Sequence, residues 1–345
     1  MMMMPSSSFF FTVTVIVLAT MTMMPSSSSY AAAHSGIKNI TEASDLVSDA
    51  CAIDKTAKER NFDSVKNMFE RQEGLKHKAT TGFPITPAAA TANAVARAID
   101  GMMCNSEMYR QEMIRKGVSG ILLNLATDLL ISQGDKVDTD LVAVLLGADV
   151  SEPKGCTPVA KIKRRNAEFD LDNNNNSTDP RDFIQKRLTA IREGDAASAS
   201  KARNELLTQL SVAPIQGALK YSALIDPKAG SITYGELDKE RAEGFAYLYP
   251  IMNQIAKCEA ASDSASIIND ALGCSPKTAM PSGVSEGDTT TSRSTADDGV
   301  YYRVLSAVEK AYTCLALSGD ANDFKQRVGT YSGISAGLTP EGFQD

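Results

Sequence analysis

The sequence predicts a mostly α fold, one or more helical bundles, and three observations carry that prediction. Apolar residues recur every three to four positions along most of the chain. Thr-Pro and Asp-Pro pairs stand where helices would start, with Pro fitting the first helical turn. Strand-like alternation is nearly absent, and "GSITYG" (230–235) is its best and only short candidate.

Taken in order, "DSVKNMFERQEGLKHK" (63–78) places Val65, Met68, Phe69 and Leu75 on one side of a helix. "TPAAATANAVARAIDGMMC" (86–104) opens on Thr86-Pro87, and "NSEMYRQEMIRKGVSGILLNLATDLLISQG" (105–134) runs from an Asn or Ser cap almost uninterrupted to Gly134. "DTDLVAVLLGADV" (138–150) is shorter and more apolar. "DPRDFIQKRLTAIREGD" (179–195) carries its own start, and "ASKARNELLTQLSVAPIQGALKYSALID" (199–226) should break or kink near Pro214. The next helix reaches Cys258, with Thr233 and Glu236 spaced as a capping box. "SASIINDALGC" and "DDGVYYRVLSAVEKAYTCLALSG" complete the set.

Two polar stretches divide these elements. "EFDLDNNNNSTDP" (168–180) is an Asn-rich insert, and the Ser/Thr/Gly-rich stretch 275–299 reads as a connector. The expected organisation is a leader (1–33), an N-terminal helical half (34–168), the Asn-rich loop (169–180), a C-terminal helical half (181–274), the connector (275–299), and a terminal helix and tail (300–345). Two bundles, or one large bundle with a loop across it, both fit.

With 345 residues, 43% hydrophobic and 22% charged, the chain can bury a substantial core. Its net charge of −7 argues against a nucleic-acid partner. The one compact basic run, "KIKRR" (161–165), reads as a solvated loop beside the Asn tract.

The N-terminus has the form of a secretory leader. "FFFTVTVIVLATM" (9–21) is apolar, and small residues follow around Ala31 and Ala33. No later stretch is long and apolar enough to span a bilayer, and "TPEGFQD" at the end lacks an apolar anchor signal. The expectation is a chain outside the cytosol. Six cysteines, Cys51, Cys104, Cys156, Cys258, Cys274 and Cys314, fit up to three disulfides with the connectivity open. Cys258 and Cys274, closest in sequence, could staple one helix end to the next. Asn39, Asn175 and Asn176 sit in glycosylation sequons.

Much chemistry is excluded. The two histidines are His34, near the expected cleavage point, and His77, in an expected helix-end loop, which leaves triad catalysis without a good base. No zincin, nucleophile-elbow, Walker or dinucleotide-binding motif is present, and "DLDNNNNSTDP" lacks the glycine and closing Glu of an EF-hand loop.

The stretch "DKERAEGFAYLYPIMNQIAKC" (238–258) is different. Wound as a helix, it turns Phe245, Leu248, Tyr249, Met252 and Ile255 to one side. Glu236, Glu240, Glu243 and Tyr247 gather on the other, within a sector of about 60°. That sector reads as a wet face, or as oxygen ligands for a hard trivalent ion such as Fe³⁺. Tyr221 before Asp226, and Tyr301 and Tyr302 after Asp297 and Asp298, are further phenol–carboxylate neighbours.

"AEGFAYLYPIM" (242–252), "ASDSASIINDAL" (261–272), "IQGALKYSALID" (215–226) and "SVKNMFERQEG" (64–74) together resemble the low-iron-inducible periplasmic proteins of algae. That family includes the iron-assimilatory proteins of green algae and the phytotransferrins of diatoms and other marine algae. The likeness spans roughly residues 50–320, and the Met, Ser and Asn homopolymer tracts would suit an algal genome. Membership implies a secreted or cell-surface protein that captures ferric iron under iron limitation. The phytotransferrin relatives add a synergistic carbonate. Glu243 and Tyr247 lie in the best-matching segment and are the expected ligands, with Glu240 and Tyr221 behind them.

The expected function is therefore non-catalytic capture of Fe³⁺ in the wall space, serving a cell-surface reductase, permease or receptor. The alternative is an extracellular structural or adhesion protein without metal. A secreted enzyme using the carboxylates for acid–base work is a third, lesser reading.

Overall fold

The computed structural model describes residues 37–80, 86–104, 106–169, 179–226, 234–274, 299–315 and 323–333, all within a compact unit running from Ala33 to Asp345. At 135 and 234–236 only the backbone is described. The leader, Asn175, Asn176, the connector 275–298, Asp297, Asp298, Thr233 and most of "GSITYG" lie outside these residues.

Among the described residues there are thirteen α-helices and no strand, so the mostly α class holds. They are α1 (Ile40–Lys58), α2 (Phe62–Glu70), α3 (Leu75–Thr80), α4 (Pro87–Ile99), α5 (Glu107–Gln133), α6 (Thr139–Leu146), α7 (Pro158–Glu168), α8 (Pro180–Glu193), α9 (Ala196–Ile225), α10 (Tyr234–Ala256), α11 (Ser264–Leu272), α12 (Val300–Leu315) and α13 (Phe324–Val328).

The start signals act as their chemistry requires. Thr86 accepts the Ala89 N–H, Ser106 the Tyr109 N–H and Asp195 the Ser198 N–H. Asp179 accepts from Arg181, and Pro180 occupies the first turn. Each cap satisfies a donor that the helix cannot satisfy internally. Asn39 does the same for α1 by accepting the Glu42 N–H, so this exposed sequon asparagine is a helix cap.

Four expectations are corrected. The 63–78 helix is two helices, because the chain turns at 71–74, where Glu73 takes a positive φ of 64°. The 199–226 segment is not broken: α9 runs from Ala196 to Ile225 with Pro214 inside it. "KIKRR" is not a loop but part of α7, which buries Ile162 and Arg165 while Lys163 and Arg164 stay exposed. Helix α1, missed by periodicity, turns Ala43, Leu46, Ala50, Ile53 and Ala57 inward.

The sequence halves share one core. Helix α5, from the first half, packs against α9 and α10 from the second and against α1 and α4. These helices approach closely because small residues meet large ones at the crossings. A Cβ on Gly120 of α5 would stand 2.6 Å from the ring of Pro250 on α10. A Cβ on Gly217 of α9 would stand 2.4 Å from the Tyr247 ring. The middle of α5 is consequently buried all round, from Val118 to Thr127.

All six cysteines pair: Cys51–Cys156, Cys104–Cys274 and Cys258–Cys314. The expected Cys258–Cys274 staple does not form. Cys258, after α10, lies instead beside the last turn of α12, with its Cα 5.8 Å from that of Cys314. Cys274, after α11, reaches back to Cys104 beyond α4 and so joins the two sequence halves. No helix among the described residues is long and apolar enough to cross a membrane.

Candidate functional site

The polar sector of α10 is buried, not wet. Glu240, Glu243 and Tyr247 are only 6%, 5% and 8% exposed. Helix α10 lies between α5 and α9, so its second face meets protein.

Three of the four expected ligands converge. Glu243 and Tyr247 stand one turn apart on α10, and Tyr221 comes across from α9. The Tyr221 and Tyr247 rings stack with centroids 5.8 Å apart and planes 25° apart. The Tyr221 phenol and the Glu243 carboxylate are close enough to act on each other's ionisation, raising Tyr221 and lowering Glu243. Glu240, one turn earlier, engages Lys239 at 3.0 Å. The Tyr301–Tyr302 pair lies elsewhere, at the start of α12, where the Tyr301 N–H donates to buried Asp226.

Helix α5 supplies what sequence reasoning missed. Its Glu112 carboxyl faces that of Glu243, and the Lys116 ammonium lies between them, 3.6 Å from Glu112 and 3.3 Å from Glu243. Arg115 bonds the other Glu112 oxygen at 2.5 Å and reaches Asp54 of α1 at 3.3 Å. Burial pushes the Glu112 carboxyl up, and Glu243 reinforces the effect. Burial opposes ionisation at Glu243 too, but Lys116 first, with the nearby Tyr221 and Glu112 groups, outweighs it and holds that group low.

Helix α7 closes the site with cations. Arg165 is fully buried, its guanidinium carbon 5.5 Å from the Tyr221 ring and 5.3 Å from the Tyr247 ring. One terminal nitrogen pairs with Glu168 at 2.9 Å, while Nε and Nη1 find no partner among the described residues. Lys161, one turn earlier, lines a small apolar cavity with Lys116, Pro214, Tyr247 and Pro250. Burial first, then Lys116 and Arg115, pulls the Lys161 amine down to about 8. Burial pushes both phenols up, so each keeps its proton at neutral pH.

The result is a buried oxygen-donor set of two phenols and two carboxylates, ringed by Lys116, Lys161, Arg115 and Arg165. Hard cations take oxygen donors, and orphaned guanidinium N–H groups call for an oxyanion or water. Among the described residues no group of three or more His, Cys, Asp or Glu side chains is placed to hold a metal ion.

No protein-family model, curated protein or solved structure matches this chain.

Proposed function

We propose that the chain captures ferric iron outside the cytosol, without catalytic turnover, through Tyr221, Tyr247, Glu243 and Glu112. The observation that supports this reading is the burial of two phenols and two carboxyls at one crossing of α5, α9 and α10. Charge counting favours it. With protons on Tyr221, Tyr247 and Glu112 the four donors carry one negative charge, that of Glu243. Exchanging three protons for one Fe³⁺ leaves the same single negative charge. Lys116 and Arg165 would keep a counter-charge in both states, although Lys116 must withdraw from the carboxylates it now bridges. The unpartnered Arg165 N–H groups, with Lys161 and Lys116, would suit carbonate as a companion anion.

The resemblance to algal low-iron-inducible proteins, the leader-like N-terminus and the three disulfides accord with a wall-space or periplasmic protein that passes iron to a surface reductase, permease or receptor. A second reading, an extracellular structural or adhesion protein without metal, draws on one specific observation. Lys116 already pairs with the Glu243 carboxylate at 3.3 Å inside the protein and stands 3.6 Å from Glu112.

Titration of the purified chain with ferric citrate, with and without bicarbonate, separates the two. The iron reading expects a visible phenolate-to-iron charge-transfer band, weakened in Tyr221→Phe and in Tyr247→Phe. A band untouched by both substitutions would move the site to other tyrosines. No band, with no iron retained after desalting, would leave the scaffold reading.

A further inference from the structure

Helix α7 serves two places. It carries Lys161 and Arg165 towards the phenols, and Ile162 and Asn166 into the wall of a separate cleft of about 320 Å³ between α7, α8, α9 and α13. That volume falls in the range of sites for small organic ligands.

The cleft has an unusual charge balance. Arg187 of α8 meets Glu205 of α9 at 2.7 Å, and Arg327 of α13 meets Asp323, which also accepts from the Tyr312 phenol at 2.9 Å. Two guanidiniums and two carboxylates thus cancel within the wall. A charged ligand would find no uncompensated counter-charge there and would have to break an existing pair to gain one. A neutral ligand need not.

The remaining wall specifies what kind of neutral ligand fits. Gln209 and Gln326 add two primary amides, each both donor and acceptor. Asn166 adds a third. Three primary amides beside two carboxylate–guanidinium pairs suit a ligand that donates and accepts at adjacent atoms. Hydroxyl groups do this, and neighbouring hydroxyls on a ring match the forked geometry of carboxylate, amide and guanidinium. Ile162, Ile184 and the Phe183 ring form the apolar side. Arg187 lies 4.9 Å from the Phe183 ring centre and already occupies one face, which disfavours a flat base stacked between two surfaces. Ring C–H groups need only the other.

We propose that this cleft binds a neutral saccharide, one or two sugar rings in size, through Asn166, Gln209, Gln326 and the Arg187–Glu205 and Arg327–Asp323 pairs, with Phe183 under its C–H face. The site stands independently of the ferric reading.

The test is saturation-transfer NMR on the purified chain with a panel of neutral mono- and disaccharides, with glucuronate and adenosine as contrasts. At least one neutral saccharide is expected to bind with a Kd on the order of 1 mM. That affinity should fall about tenfold in Phe183→Ala and in Gln209→Leu, as expected for one lost contact in each. It should be unchanged in Tyr247→Phe, which touches only the ferric site. Gln326→Leu, at an exposed position on α13, carries the test should Phe183→Ala fail to fold by circular dichroism. No signal from any neutral sugar, a signal from glucuronate or adenosine alone, or binding that survives all the cleft substitutions would overturn the proposal.

Discussion

The Lys116 ammonium stands 3.3 Å from the Glu243 carboxylate, and both side chains are almost wholly buried, at 5% and 7% exposure. Two buried ions so placed depend on each other more than they stabilise the fold, because each has lost its water. Removing one leaves the other uncompensated. Lys116→Met should therefore cost about 3–5 kcal/mol in urea unfolding at pH 7. The sign of its pH dependence is fixed. Glu243 is held low in the folded chain, so its contribution exists above the ordinary carboxylate range and fades as pH falls below it. The deficit of the variant should accordingly shrink at pH 4. An equal deficit at pH 4 and pH 7 would mean that Lys116 matters for its packing, not its charge.

The contact between Gly217 and Tyr247 makes a second prediction. A methyl group on Gly217 would stand 2.4 Å from the base of the Tyr247 ring and 2.6 Å from its Cβ. The ring is packed between α9 and α5 and cannot step aside without disturbing Tyr221. Gly217→Ala should destabilise by about 1–3 kcal/mol and change the near-UV circular dichroism of the tyrosines. Gly155→Ala, where an added Cβ meets nothing within 4 Å, is the matched control and should leave both unchanged.

Asp128 of α5 is a half-buried carboxyl whose ionisation is pushed up to about 7 by desolvation, against the opposing pull of the Ala88 N–H in the first turn of α4. Between 3.8 and about 7 the folded chain keeps a proton that the unfolded chain has released, so stability must fall as pH rises across that window. Asp128→Asn keeps an acceptor for Ala88 and removes the charge. It should gain up to about 4 kcal/mol at pH 8, since each tenfold change in an acid constant is worth roughly 1.4 kcal/mol, and almost nothing at pH 4. A variant no more stable than the parent at pH 8 would show that water reaches the carboxylate.

How much of this was legible in the sequence depended on what each residue had for neighbours. Helices with a strong apolar stripe or a Pro start, such as α4 and α8, were read directly. Helix α1 was passed over because alanines hold three of its five inward apolar positions, and alanine marks a buried face weakly. The "KIKRR" run looked solvated because its charges were counted without their partners. Arg165 is buried because Glu168 and two tyrosine faces from other helices receive it. Glu243, Tyr247 and Tyr221 were visible as a group, but their burial was not, since the second face of α10 is covered by α5 and α9. Glu112 and Lys116 leave a faint signal, two opposite charges one turn apart at the edge of the apolar run 117–127. Cys258 and Cys274 were misjudged because closeness in sequence says nothing about the α12 contact that brings Cys314 nearer.

The Cys51–Cys156 bridge ties α1 to the segment leading into α7 across 105 residues of chain. Closing a loop of that length restricts the unfolded chain by about 4–5 kcal/mol in the entropic account. Replacing both cysteines by alanine should lower stability by a sizeable part of that figure and loosen α7, and with it Lys161 and Arg165. Peptide mapping without reductant checks the pairing first. Recovery of a Cys258–Cys274 peptide would contradict the connectivity described.

If Tyr221, Tyr247 and Glu112 give up their protons to ferric iron, binding must itself depend on pH. Burial holds both phenols above their ordinary value, and burial with Glu243 raises Glu112, so each of the three holds its proton more tightly than it would in water. Loading should then release about three protons per ion, and the apparent affinity should fall steeply as the solution is acidified, by up to about a thousandfold for each tenfold rise in proton concentration. Titration in weakly buffered solution measures the number directly, with the protons lost by the iron chelate subtracted. A release near three supports the charge-neutral exchange. A release near zero would mean that iron, if held at all, is held by groups already ionised, and that the buried tyrosines are not its ligands.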